Sequence, residues 1–148
     1  MSMDEKGLMI IEELKDNGRE STKRIADRVR MPRVTVHERI KKMVESGVIK
    51  KFTVQIDYGK LDLGTTAFIL ISFMPATKIS QEELAKRISK IRNVFDVHII
   101  SGEWDFLVKA RARSVEEIGS LVVNRLRKLE GVAKTLTCFS FRSIKEAV

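Results

Sequence analysis

Residues 21–49, STKRIADRVRMPRVTVHERIKKMVESGVI, decide how this chain is read. They hold two helix-length patterns separated by a short break, and the second is studded with cations. Ser21 can cap the first helix, in which Ile25, Ala26 and Val29 form the apolar side. Arg30-Met31 breaks the pattern. Pro32 then suits the first turn of the next helix, where its missing N–H costs nothing. Ser46-Gly47 ends that helix, with Gly47 placed as a left-handed cap. Two helices joined this tightly have the shape of a helix-turn-helix, whose second helix enters the DNA major groove.

The second helix divides by angle. At about 100° per residue, Val36, Ile40, Met43 and Val44 group on one side and face a core. Val34, Thr35, Glu38, Lys41 and Lys42 fall opposite, with Arg33 and His37 on a flank. Base contacts in this motif come mainly from the N-terminal part of the recognition helix. Arg33, Val34, Thr35, His37 and Glu38 are therefore the expected groove contacts, and Lys41 and Lys42 the expected phosphate contacts. Arg39 sits beside the apolar stripe and is expected in an ion pair within the protein. The plain alternatives stay open for single residues. Arg33 reads guanine well and is also an ordinary surface residue. His37 is a surface histidine or a phosphate contact that strengthens at low pH. Glu38 either accepts from cytosine or repels phosphate.

Charge supports the motif. The chain of 148 residues has a net charge of +8, and residues 19–51 hold eleven Lys/Arg against four Asp/Glu, a net +7. The excess is densest where phosphate binding would require it. With 43% apolar and 32% charged residues the chain should fold, and its length suits one domain or two small ones. No apolar run reaches the length of a membrane span. The opening MSMDEKGL lacks the basic region of a secretory signal, so a cytoplasmic protein is expected. One cysteine, Cys138, and two distant histidines leave no disulfide framework and no metal-ligand spacing.

Upstream, Leu8, Ile11 and Leu14, with Ile10, fall at helical spacing before Asn17-Gly18, which predicts a first helix. Downstream, residues 48–57 alternate, with Phe52, Val54 and Ile56 against Thr53, Gln55 and Asp57, which predicts a half-buried strand. Residues 58–64, YGKLDLG, read as a turn-rich connection. The expected division is a DNA-binding domain over 1–50, a hinge strand and linker over 51–64, and a second domain over 65–148.

That second domain reads as strand (residues 65–74, TTAFILISFM), helix after the capping box Ser80-Gln81-Glu82-Glu83, strand (94–100), strand (106–112), helix after the capping box Ser114-Val115-Glu116-Glu117, and strand (134–141). Leu84, Ile88 and Ile91 line one helix; Ile118, Val122, Leu126 and Leu129 line the other. The order βαββαβ is the ferredoxin-like unit. The fold class is thus α+β: a winged-type helix-turn-helix joined by a hinge strand to a ferredoxin-like sandwich. Residues 67–73 are apolar on both faces, as in strands buried on both sides. A second copy is the simplest cover for the second face, and two-fold symmetry suits palindromic DNA.

These motifs together resemble the Lrp/AsnC family, the feast/famine transcription regulators. The resemblance runs over nearly the whole chain. It rests on Thr35-Val36-His37-Glu38-Arg39-Ile40-Lys41-Lys42, then Ser46-Gly47-Val48-Ile49, Leu63-Gly64, and Gly102-x-x-Asp105-Phe106. It implies dimers that assemble into tetramers, octamers or hexadecamers, and small effectors, usually amino acids, bound between C-terminal domains. By the same resemblance Ser101, Gly102, Glu103, Trp104 and Asp105 would help form the effector cleft. Thr135 and Thr137 would add hydroxyls, and Asn124 would read an effector side chain. Backbone N–H groups and hydroxyls suit an α-carboxylate, and Asp105 an α-ammonium. The alternative for residues 102–105 is a plain hairpin turn. The chain departs from the family at Arg30-Met31-Pro32, where Gly-Leu-Ser is usual; arginine is costly at positive φ, where glycine is free.

The function expected is an effector-responsive, sequence-specific DNA-binding regulator with no cofactor. The alternative is an architectural DNA-binding protein with no effector. Catalysis is not expected: there is no phosphate loop, and Cys138 with His98 is the only conceivable nucleophile–base pair. The expected partners are double-stranded DNA, further copies of the chain and a small amino-acid ligand, with no membrane.

Overall fold

The computed structural model describes residues 3–146. Met1, Ser2, Ala147 and Val148, the outer ends of the expected domains, lie outside the described residues. The chain divides into two compact units, one through residue 55 and one from residue 56. No helix among the described residues is long and apolar enough to cross a membrane.

The first unit is three helices: α1 (Glu5–Asp16), α2 (Thr22–Val29) and α3 (Arg33–Glu45). Asp4 caps α1 by accepting the Gly7 N–H at 2.8 Å, and Ser21 caps α2 by accepting the Arg24 N–H at 3.2 Å. Ile10, Ile25, Ala26, Val29, Val36 and Met43 form the core. Leu8 and Val44, read as core-facing, are exposed. Ile10 takes the buried place on α1, with Ile11 and Leu14 packed half-buried against the same core.

The turn between α2 and α3 confirms the cost foreseen at Arg30. Its backbone is left-handed, φ 52° and ψ 56°, and its N–H closes α2 on Ala26 O. Pro32 sits one place earlier than expected, as the N-cap of α3, and supplies no side-chain cap. Gly47 adopts φ 74° after α3, as a left-handed cap requires.

The strand expected over residues 48–57 is not there. Residues 50–57 pair with nothing as a ladder, and Phe52, Val54 and Ile56 are exposed. A strand needs a partner for its backbone N–H and C=O groups, and a single chain offers this segment none. Residues 58–64 do form a turn, with a short 3₁₀ helix over Tyr58–Leu61.

The second unit is β1 (Thr65–Phe73), α4 (Gln81–Ser89), β2 (Val94–Ile99), β3 (Phe106–Ala112), α5 (Val115–Asn124) and β4 (Val132–Phe139). Both serine caps form: Ser80 Oγ accepts the Glu83 N–H and Ser114 Oγ that of Glu117. The antiparallel sheet has the order β2-β3-β1-β4, the ferredoxin-like arrangement. Ala67, Ile69 and Ile71 of β1 and Phe106, Val108 and Ala110 of β3 pack against Leu84, Ile88, Ile118 and Leu126 from the helical layer. α5 ends at Asn124, and Leu126 reaches the core from a 3₁₀ turn instead of the expected longer helix. Gly131 leads into β4 at φ 93°; a Cβ there would come within 3.1 Å of the Phe73 ring. β4 therefore starts and ends two residues before the expected bounds.

On the opposite face of the sheet, Phe68 lies across from Lys109 and Cys138, and Leu70 from Leu107 and Leu136. Phe68 and Leu70 stay half-buried in the single chain.

Candidate functional site

The recognition helix α3 presents its expected contacts outward. Arg33, Val34, Thr35, His37, Glu38, Lys41 and Lys42 are all exposed, with Val34 at 73%. Val36 and Met43 anchor the helix from the other side. Arg39 turns back, as its angle required: Nη1 and Nη2 meet the two Asp4 oxygens at 2.7 and 2.8 Å. The fork holds the Asp4 carboxyl below the usual carboxylate range, helped by the Gly7 N–H, and raises Arg39 further above its ordinary value. Asp4 thus joins the start of α1 to the middle of α3.

The cations of the motif separate into two groups. Two of the three on α2 pair within the protein, Arg28 with Glu13 and Glu20 and Arg24 with Glu20, while Lys23 makes no ion pair among the described residues. On α3, Lys41 has only a loose exposed pairing with Glu45 at 4.0 Å. Arg33 and Lys42 make no ion pair among the described residues. The first-turn N–H groups of α3 have no side-chain cap, so they too face outward at the positive end of the helix.

The β2–β3 hairpin holds residues 101–105 of the expected effector set. Ser101, Gly102 and Glu103 are exposed and Trp104 is half-buried; Gly102 adopts φ 114°. Asp105 has a second task within the fold, and each of its oxygens keeps an acceptor site beyond it. Its Oδ2 accepts the Phe73 N–H at 2.7 Å and its Oδ1 accepts from Gln81 Nε2 at 3.1 Å. Its own N–H donates to Ile71 O at 3.0 Å. The residue latches the end of β1, the start of α4 and the β2–β3 hairpin together. Thr135 lies across β1 from this latch, paired with Ile71, and Thr137 follows two residues on, paired with Ile69. Both threonines share the helix side of β4, and Thr135 Oγ1 already accepts from Arg127 Nε at 2.9 Å. Asn124, at the end of α5, is exposed and donates to Ser120 Oγ.

Cys138 and His98 lie on β4 and β2, the two opposite edges of the sheet. Three strand spacings of about 4.8 Å hold them roughly 14 Å apart. They cannot act as a nucleophile and its base.

Two family profiles cover the chain. One, described as the Lrp/AsnC ligand binding domain, matches residues 66–148; the other, winged helix-turn-helix DNA-binding, matches residues 3–50. The chain belongs to the Lrp/AsnC family. It is 47% identical to an uncharacterized HTH-type transcriptional regulator of Pyrococcus furiosus, over 99% of this chain and 97% of that one. It is 34% identical to the HTH-type transcriptional regulator FL11 of Pyrococcus horikoshii, over 97% and 93%. Among solved structures, LrpC of B. subtilis superposes with a TM-score of 0.86 at 26% identity, over 98% of this chain and 99% of that one. A transcriptional regulator of Neisseria meningitidis, solved as an L-Met complex, superposes with a TM-score of 0.91 over 99% and 94%, and at 23% identity it shares the fold.

This Lrp/AsnC protein is accordingly a DNA-binding transcription regulator with a ligand-binding domain, and its domains are regulatory, not catalytic. Sequence reasoning named the α3 face and Arg39, and it missed Asp4 as the partner and Asp105 as a latch. A signal for Asp4 was present: an acid just before a helical pattern is an N-cap candidate. None existed for Asp105, whose partner Phe73 N–H is thirty-two residues away.

Proposed function

We propose that the chain binds a specific operator as a symmetric pair and that an amino acid, bound between C-terminal domains, shifts its assembly or its DNA affinity. The observation that carries the DNA half is the division of α3. Arg33, Val34, Thr35, His37 and Glu38 lie clear for base edges, Lys41 and Lys42 for phosphates, and Arg39 is held back by Asp4. Base contacts give specificity and phosphate contacts give salt-dependent affinity. A protein with this work acts on DNA in the cytoplasm.

For the effector, residues 101–104 supply backbone N–H groups, and Thr135, Thr137 and Asn124 supply polar side chains. Asp105 contributes by fixing the loop. The neighbour solved with L-Met supports an amino acid as the class. A second copy covers the open face around Phe68 and Leu70, and pairs build tetramers or octamers. The mechanism is linkage: a ligand that prefers one assembly shifts the population toward it.

The hydrogen bonds of Asp105 give that loop a purely structural explanation, and with it a second reading, an architectural DNA-binding protein without an effector. A thermal-shift screen of the twenty amino acids, followed by DNA titrations with each hit, separates the two. A true effector at a hundred times its Kd adds about 2.7 kcal/mol of stability and changes DNA affinity or assembly. If all twenty leave melting, assembly and affinity unchanged, the architectural reading replaces the first.

A further inference from the structure

Asp4 and Arg39 meet at the edge of the face that α3 turns outward. At about 100° per residue, Arg39 lies about 40° around α3 from Thr35 and about 60° from Lys42. A cleft of about 400 Å³ between the start of α1 and α3 opens beside the pair, and Thr35, Glu38 and Lys42 line it along with Asp4 and Arg39. An arginine in that position borders the residues assigned to DNA, yet its guanidinium is turned toward α1. Both of its terminal nitrogens meet the Asp4 carboxylate, at 2.7 and 2.8 Å.

The carboxylate is held in place before it pairs. Asp4 Oδ1 also accepts the Gly7 N–H at 2.8 Å, and Lys6 Nζ ties the same turn of α1 to Val29 O, at the end of α2, at 2.8 Å. A carboxylate already fixed by the helix it caps loses little further freedom on pairing. The pair is no core feature: the side chains of Arg39 and Asp4 are 35% and 53% exposed, and pairs so exposed add little stability. What the fork changes is the charge left over for DNA. Arg24 and Arg28 are also paired, by Glu13 and Glu20, but they stand on α2; Arg39 stands on the recognition helix.

The planar fork that grips a carboxylate is the one that grips a phosphate. A cation on a phosphate adds affinity for every sequence and makes that affinity fall with salt. We propose that Asp4 withholds Arg39 from the DNA backbone and so limits the number of phosphates each recognition helix engages. Asp4 is then a positioning residue that acts through Arg39 and touches no DNA itself. This rests on the reading of α3 as the helix that meets DNA, with Lys41 and Lys42 on phosphates.

Salt titrations of the full chain on a random-sequence duplex test it. D4S keeps a side-chain cap for α1 and is too short to hold the guanidinium; D4N, which also caps, stands in for it where D4S does not fold. D4S raises affinity at low salt and steepens the slope of log affinity against log salt by about 0.9 for each helix bound, so about 3.5-fold more affinity is lost between 50 and 200 mM salt. R39Q keeps the native slope, and D4S adds nothing in the R39Q background. An Asp4 that only supports the fold would lower affinity and leave the slope alone, and that result overturns the proposal. A flatter slope for R39Q overturns it too, since Arg39 would then already sit on a phosphate. So does a gain from D4S that persists in R39Q, which would be charge acting through space. K42A reads the helix itself. If K42A keeps the native slope, α3 does not lie against phosphates, and the proposal falls with that reading. If K42A flattens the slope while D4S behaves as the native chain, the reading stands and the proposal alone is lost.

Discussion

Arg39 and Arg33 are six residues apart on one helix, yet the structure places them in opposite surroundings. The angular position of Arg39 beside Val36 and Met43 sends it toward α1, where Asp4 waits; Arg33 faces out. R33A should therefore relax base preference at one operator position at a cost of about 1–3 kcal/mol, while K42A should weaken binding to all DNA alike and flatten the salt dependence. Equal loss on every sequence for R33A would remove it from the groove. Asp4 gives a pH prediction. Its folded pKa lies below its unfolded value, so its contribution is complete above about pH 4 and is lost as pH falls through the lowered folded value. Acid titration followed by α1 helicity should show this loss in the native chain and not in D4N. Arg30 is the third case. Its left-handed backbone costs arginine about 1 kcal/mol relative to glycine. R30G should raise the melting temperature of the first unit by several degrees. An unchanged or lower melt would mean that the side chain stabilises the turn in some other way.

Elements were legible where one face alone decided them. Ile25, Ala26 and Val29 on α2, and Leu84 and Ile88 on α4, announce themselves by period, and the serines at 21, 80 and 114 mark where helices start. Residues 48–57 show the limit. Alternation in Phe52, Val54 and Ile56 is a real β pattern, but pairing is a property of two segments, and no partner lies in the chain. β4 shows another: Gly131 turns the chain earlier than helix periodicity suggests, and the register shifts by two. The structural role of Asp105 was not legible, because it bonds across the sheet to atoms that its local sequence does not name. As a latch, Asp105 makes a stability prediction. D105A leaves the Phe73 N–H without its partner and should cost the second unit about 1–3 kcal/mol with no effector present. A residue serving only as a ligand contact would leave the apo melt unmoved. Glu146 anchors the segment after β4 to Lys109 and Arg111, and this adds a second pH response. Lys109 and Arg111 hold the Glu146 carboxyl below the usual range. The anchor is complete above about pH 4.3 and loosens as pH falls through the lowered value, which hydrogen exchange of residues 140–146 should follow.

At the scale of the whole molecule, one recognition helix is a weak reader. The contacts proposed for it lie within fewer than about three turns of α3, and only two of them, Lys41 and Lys42, are assigned to phosphates. Pairing changes this, since the second head binds at a high effective concentration once the first is seated. The gain depends on geometry and not on contact chemistry, which makes it testable without altering the protein. Half-sites for such a pair lie about 10–10.5 base pairs apart, or a multiple of that, centre to centre. Five base pairs inserted between them turn one half-site to the opposite side of the duplex, and affinity should fall by about 10²-fold or more as the second head is lost. Ten inserted base pairs restore the side and should recover part of the affinity. If native affinity ignores the five-base-pair insertion, the heads act independently, and self-association has no part in operator recognition.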